Sequence, residues 1–549
     1  MPREKSKGFD EDTMDDMQGM ISKWVSIPFS ICVVLVAGSC LNLIPYFLDL
    51  KGKLGFNVVD QEFIRWGVLG GYYGGILSGP IVDIVGTTVS FVLSAIISCG
   101  GFIALAYYTD SGTVSQFNAI VIISLIVAVS FASSIATIAS ISTVIKNFSR
   151  NVGSMIAAVM MSYFFIAQYF DSCIRHGYFE GVELRKSMIV SGVAQFIIYI
   201  LAAFIIHENE ISPVLKKASN MTDRFGIFLY AIIAGGFVAA IYFTCVIAEN
   251  WKLGIFFMLI LILINFVVLG FAIQMLLGRI KGADTSNVGD ERHVPKKHIG
   301  QMLCEFEYYC LLIGTFIVIG SGTTFYFEAE SVGVALGKED AGKQVHKLFW
   351  ISEGIAILGG GIFAALFVKL INGYLFAALA AFAATVGFAL VFLAASYGSF
   401  WFWLSSFFVG AAVGGWWVIV PQIILDDHGP RNFETLWGFT LTFNFLGMFA
   451  FERFFMWIDE KTEPKSTGSC VGHACYLAPY VVSAVLCLIA GVLALIGYMN
   501  DSGTGGSDED NRSLKNNDAN AKGGRKTRES KSSNSGKRSK SRSKSKDKR

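Results

Sequence analysis

Charge is what this 549-residue chain has least of. Only 16% of its residues are Asp, Glu, Lys or Arg, against 53% hydrophobic, and the mean hydropathy is +0.55. A composition this apolar excludes an ordinary soluble domain. Histidine is also scarce: the seven (176, 207, 293, 298, 346, 428, 473) are scattered, with no metal-ligand spacing among them. That argues against a metalloenzyme, and the chain is expected to have no catalytic residues, no metal and no cofactor. A nucleotide-binding loop is missing as well. The glycine runs "GVLGGYYGGILSG" and "ILGGGIF" are not followed by Lys-Ser/Thr and lie inside apolar stretches, so an ATP-driven pump is not expected. The opening residues "MPREKSKGFDEDTMDDMQGM" are polar and acidic, with no apolar core at the distance of a cleavable signal. The first span is expected to serve as its own insertion signal.

What remains is a succession of continuous apolar runs. Each is long enough to cross a hydrocarbon layer of about 30 Å, and continuity rather than alternation selects helices over a barrel. Spans are predicted near 24–49, 63–82, 87–108, 117–145, 152–171, 188–207, 226–248, 252–278, 302–328, 346–369, 373–396, 399–425, 433–457 and 477–499. The fold class is therefore an all-α polytopic membrane protein of about 14 helices, 12 being the alternative. The spans group as six, two and six. This gives a segment 1–22, a six-helix bundle 23–208, a linker 209–300 with two extra helices, a second bundle 301–500 and a basic tail 501–549. Residues 501–549 hold 15 Lys/Arg against 7 Asp/Glu. Such a tail cannot bury apolar area; it is expected to be disordered and to contact anionic lipid rather than nucleic acid. The excess of Lys and Arg in alternate loops and in the tail places both termini in the cytosol. With that orientation Cys470 and Cys475 of "SCVGHAC" fall outside, where a disulfide is the first expectation and free thiols or half a metal site the alternatives. The sequons at Asn147, Asn220 and Asn511 fall inside. A plasma membrane and an organelle membrane are equally compatible, and a monomer is expected.

Between the second and third spans stands "GILSGPIVDIVGTTVS". Asp83 there can cap the N-terminus of the third span, where free N–H groups and the helix dipole favour negative charge. Gly79, four residues earlier on the same face, lets a neighbouring helix approach, and Gly86 permits the turn. The pattern Gly79, Asp83, Gly86 resembles the signature loop of the major facilitator superfamily, although Ile84, Thr87 and Thr88 stand where that family has basic residues. Within the superfamily, "VAGSCLNLIPYFLDLKGKLG", "VIKNFSRNVGSM" and "VGAAVGGWWVIVPQII" resemble the nodulin-like branch related to monocarboxylate and oxalate:formate carriers; "ILGGGIFAALFVKLING" departs from it. The resemblance implies two six-helix bundles rocking about a central cavity, with the Asp83 turn as a latch.

Polar residues at membrane depth are the remaining candidates, because each is costly there. Asn42, Gln168, Gln195, Glu353 and Asn444 lie within spans. Arg65 is read as pairing with Asp49 or as an anion-binding or gating charge. Glu353 is read as a proton-coupling carboxylate or as a partner of Lys347. Glu452 and Arg453 are expected to pair locally. Of Trp416 and Trp417, one is expected to face lipid or a neighbour and one to line the cavity. These readings favour secondary active transport of a small polar or anionic solute or ion by alternating access, with protons as a candidate coupling ion. A non-transporting receptor or scaffold of the same fold is the alternative, and a membrane transferase a weaker one.

Overall fold

The computed structural model describes residues 7–44, 58–110, 116–148, 152–153, 155–163, 184–209, 213–242, 251–280, 299–367, 372–462, 472 and 475–500. Within these, helix follows helix. The elements are α1 (Lys7–Gly38), continued by a 3-10 turn Ser39–Asn42; α2 (Val58–Tyr72); α3 (Gly75–Val85); α4 (Thr87–Asp110); α5 (Gln116–Asn147); α6 (155–163); and α7 (Leu184–Ile205). The extra pair follows as α8 (Pro213–Tyr242) and α9 (Trp251–Ile280). The second series is α10 (Phe306–Ala335), α11 (Glu339–Phe367), α12 (Gly373–Tyr397), α13 (Ser399–His428), α14 (Phe433–Thr462) and α15 (Leu477–Asn500). Nine of the described helices are long and apolar enough to cross a membrane.

The two series form two bundles in one compact unit, residues 1–495. In the first, α5 packs on α1, α2 and α4, and α7 packs on α4 and α1. In the second, α13 packs on α11, α12 and α10. The pair α8–α9 lies against both series, α9 on α1 and α8 on α11. A fully buried ion pair, Lys23 to Asp223 at 2.7 Å, ties α1 to α8. Large apolar side chains point outward along whole helix faces; Val89, Val92, Ile96 and Ile103 on α4 are all exposed. Only a hydrocarbon surrounding makes such a face stable. The core is correspondingly small and hydroxylated. On α5, Ser130, Ser133, Ser134, Thr137, Ser140, Ser142 and Thr143 are all buried. Thr137 and Thr143 donate back to the carbonyls of Ser133 (2.9 Å) and Ala139 (2.7 Å), so a polar side chain is satisfied without a partner helix.

The second span differs from expectation: it is broken. Four glycines fall in the six residues "GGYYGG", and the helix stops at Tyr72 and restarts at Gly75. The amide of Ile76, in the first turn of α3, is taken by the Thr442 hydroxyl of α14 at 2.8 Å. A side chain from the other bundle thus satisfies a donor that the break exposes.

Candidate functional site

α2 and α3 run along α14 for their whole length, and this seam joins the two bundles. Its middle is a close approach of backbones. A Cβ on Gly75 or Gly438 would overlap the other's carbonyl oxygen, and one on Gly79 would overlap that of Glu434. Only glycine allows these contacts. A second, parallel contact joins α6 to α11, where Ala158 lies against Gly361.

One end of the seam is held at Asp83. Its carboxylate accepts from the Thr435 amide at 3.1 Å and from the Thr435 hydroxyl. Thr435 is the third residue of α14, so Asp83 caps that helix, not α4 as its place in the sequence suggested. The reason is geometric: Asp83 lies inside α3, one turn after Gly79, on the face that meets α14, and Gly86 (φ +80°) ends the helix beyond it. Beside it Lys146, at the end of α5, pairs with Glu434 of α14 and with Glu208 at 2.8 Å. Glu434 also lies within reach of Asp83. These residues, with Arg431 and His207, line a polar cleft of about 370 Å³.

The other end is held by Arg65. It pairs with Glu452, a nearly fully buried carboxylate of α14; Asp49, the partner expected from the sequence, lies outside the described residues. The Trp66 indole donates to the second oxygen of Glu452 at 2.9 Å, and the Arg65 guanidinium lies 4.8 Å from the centre of the Phe327 ring. Arg453 reaches Glu62 at 3.4 Å. Glu452 and Arg453 therefore pair across the seam rather than with each other. Adjacent residues on a helix point about 100° apart, which suits two partners on a neighbouring helix better than one another.

Between the ends lies a buried polar centre. Tyr73, at the helix break, stacks on Trp417 at 5.9 Å between centroids. Asn444 of α14 is fully buried; neither its amide nitrogen nor its oxygen makes a well-formed hydrogen bond, and the Tyr73 phenol lies beside it. Trp416 donates to Thr315 at 3.0 Å. Trp416 and Trp417 are both buried, so neither faces lipid. With Trp437, Thr315, Thr440 and Asn444 they line a gap too narrow in this conformation for a water molecule.

Glu353 sits halfway along α11 at 4% exposure. It makes no hydrogen bond or ion pair with any described residue. Lys347 does not pair with it: six positions are about 600° of helix, which puts the two on different faces. Tyr73 and Tyr326 are close enough for Glu353 to act on them electrostatically. Gln195 donates to the Val36 carbonyl at 2.9 Å, while its amide oxygen is buried without a hydrogen-bond partner among the described residues.

Thus Glu353, Trp416 and Asn444 fall in the central region, and Arg65 and Asp83 mark the two ends of the seam. The Asn42 side chain, Gln168 and Cys470 lie outside the described residues; Cys475 is disulfide-bonded. Tyr73, Trp66, Lys146, Glu434 and Thr442 were not singled out from the sequence as site residues. Only the glycine cluster around Tyr73 carried a local signal.

No protein-family model matches this chain, and no curated protein sequence does. Solved structures do. The proton:xylose symporter XylE, bound to 6-bromo-6-deoxy-D-glucose, superposes with a TM-score of 0.51 at 10% identity, covering 89% of this chain and 95% of that one. The transporter FucP in its outward conformation gives 0.47 at 10% identity, over 86% and 99%. The chain is an all-α membrane protein with the major facilitator superfamily fold.

Proposed function

We propose that this protein is a secondary active transporter that moves a small polar solute by alternating access, with the Asp83 end of the seam cytosolic. The observation that carries the reading is the seam itself: α2 and α3 latched to α14 at both ends, around a buried centre in which Glu353 has no partner among the described residues and Asn444 makes no well-formed hydrogen bond. Buried polar groups are ordinarily paired, and an unpaired carboxylate at membrane depth is retained at a large cost. Glu353 and Asn444 therefore read as groups kept free for a solute or a proton. The closed latches at both ends read as an occluded state, from which release of one end or the other would open a path. Glu353 is the carboxylate suited to proton coupling, with Tyr73 and Tyr326 as the ionisable groups facing it. That a structure sharing this fold is described as a proton:xylose symporter favours a carrier over a receptor.

The test is sidedness. A single reactive cysteine is placed at Thr315 in a cysteine-depleted protein, and membranes are labelled from either face. Glu452→Gln should raise labelling from the Arg65 face, and Lys146→Ala from the Asp83 face. A scaffold with a fixed structure would give the same low labelling in both variants. Uptake into proteoliposomes with and without a pH gradient then asks whether the motion is coupled to protons.

A further inference from the structure

The sequence left polar and anionic solutes open together. The centre of the structure separates them. Its one ionisable side chain without a partner, among the described residues, is a carboxyl. Glu353 is more than nine-tenths buried and has no hydrogen-bond or ion-pair partner there. The cations nearest in the fold are committed elsewhere: Arg65 to Glu452, and His346 to a 3.9 Å stack on Tyr326, where it faces Glu330. α13 meets this part of α11 with the backbone of Gly414, packed on the Glu353 carbonyl. An anionic solute would enter with no free cation to neutralise it, whereas a cation would let the carboxyl ionise beside it.

The walls carry the second observation. Tyr73 and Trp417 stack in parallel fashion, 27° between planes, and the Asn444 amide, which makes no well-formed hydrogen bond, has the Tyr73 phenol beside it. Trp416, Trp417, Trp437 and Asn444 line one narrow gap next to them. Aromatic faces attract cations through the ring quadrupole, and more strongly once water is excluded. A carboxylate without a partner, aromatic faces and one amide form a set that fits a positively charged nitrogen carrying alkyl groups.

We infer that Glu353, Tyr73, Trp417 and Asn444 form a binding site for a small organic monocation of the ammonium class. Glu353 supplies the charge, the two rings take up the alkyl groups, and Asn444 meets a hydroxyl or carbonyl of the same solute. The anionic branch suggested by sequence resemblance is set aside on this charge. As a statement about cargo the inference rests on the transport reading; as a statement about binding it does not.

Binding is measured on the purified full-length protein by intrinsic tryptophan fluorescence during titration with tetramethylammonium chloride and choline chloride. Sodium lactate and glucose serve as the anionic and neutral probes. A saturable change with the two cations is expected. Glu353→Gln should weaken it on the order of tenfold, and Trp417→Leu several-fold. Glu353→Gln replaces a buried, partnerless carboxyl by an amide of the same shape, so its melting temperature should not fall far below that of the parent; this keeps the comparison free of misfolding. Equal cation affinity in Glu353→Gln, no saturable cation response, or saturation by lactate or glucose alone would each overturn the inference. Currents on a solid-supported membrane separate the two levels. Currents with lactate and none with the cations would discard the cation site and leave transport standing. Saturable cation binding with no current for any probe would keep the site and discard transport.

Discussion

The two ends of the seam are fastened differently. At the Arg65 end a guanidinium and an indole converge on one buried carboxylate, Glu452, whose two oxygens are both occupied, with the more exposed Arg453–Glu62 pair beside it. At the Asp83 end the load is spread: Asp83 caps α14 through Thr435 while Lys146 bridges Glu434 and Glu208, beside a polar cleft of about 370 Å³. A concentrated, dry latch fails all at once when a member is removed, because the remaining charge is stranded. A distributed, wet latch loses a fraction of its strength, and water replaces what is lost. The first suits an end that must stay shut until the centre is filled, the second an end that opens readily.

The sharpest way to break this comparison is Arg65→Met. It leaves the Glu452 carboxylate buried with only the Trp66 indole, and should destabilise the protein by about 3 kcal/mol. The readout is a large drop in melting temperature in detergent. Arg65→Met with Glu452→Met should recover most of it, since a buried ion pair replaced by apolar groups is close to neutral. If the double variant melts as low as the single one, the ion pair is not what holds that end.

Next in size is Gly438→Ala, which acts on both ends alike. The new methyl group overlaps the Gly75 carbonyl, and forcing the helices apart should cost about 2 kcal/mol. Labelling of a central cysteine should then rise from both faces. A rise from one face alone would show that the seam is not a continuous element.

Thr442→Val is smaller. It keeps the shape but strips the hydroxyl from the Ile76 amide, at about 1 kcal/mol for a donor left without its partner. Hydrogen exchange at Ile76 and the residues after it should quicken, with α2 unaffected.

Much of the helical fold was legible in the sequence, because continuous apolar runs are a local property. Described helices occur at every one of the fourteen predicted spans, although α11 starts seven residues before its span and α1 begins at Lys7. The site was legible only where one residue was odd enough to stand alone, as Glu353 and Asn444 were. Partnerships were not. Arg65 and Glu452 are 387 positions apart, and no spacing rule reaches that far, so nearby Asp49 was the natural candidate. Asp83 was assigned to the helix that follows it for the same reason. Tyr73 was not singled out, and Trp417 stood only as one of a pair with Trp416, until the helix break set the two rings against each other. The break itself was written in "GGYYGG", which is equally good packing sequence, and only the Thr442 hydroxyl shows which use was made of it.

Asp83→Asn should have the smallest effect on stability and sharpens the comparison most finely. An asparagine oxygen can still accept from the Thr435 amide and hydroxyl, so the hydrogen-bonded cap survives. What disappears is negative charge at the start of α14, about 0.5 kcal/mol at an exposed position and less in high salt. The melting temperature should barely move. Labelling of the central cysteine should still rise from the Asp83 face, and transport should slow, because a latch balanced between two states responds to a fraction of a kcal/mol in its populations. The basic residues usual after this aspartate are replaced here by Ile84, Thr87 and Thr88, so Lys146 is the cation left to oppose Glu434. Lys146→Ala should therefore raise labelling more than Asp83→Asn does. If Asp83→Asn alone opened that face fully, the load would rest on one residue at this end as well, and the two latches would not differ in kind.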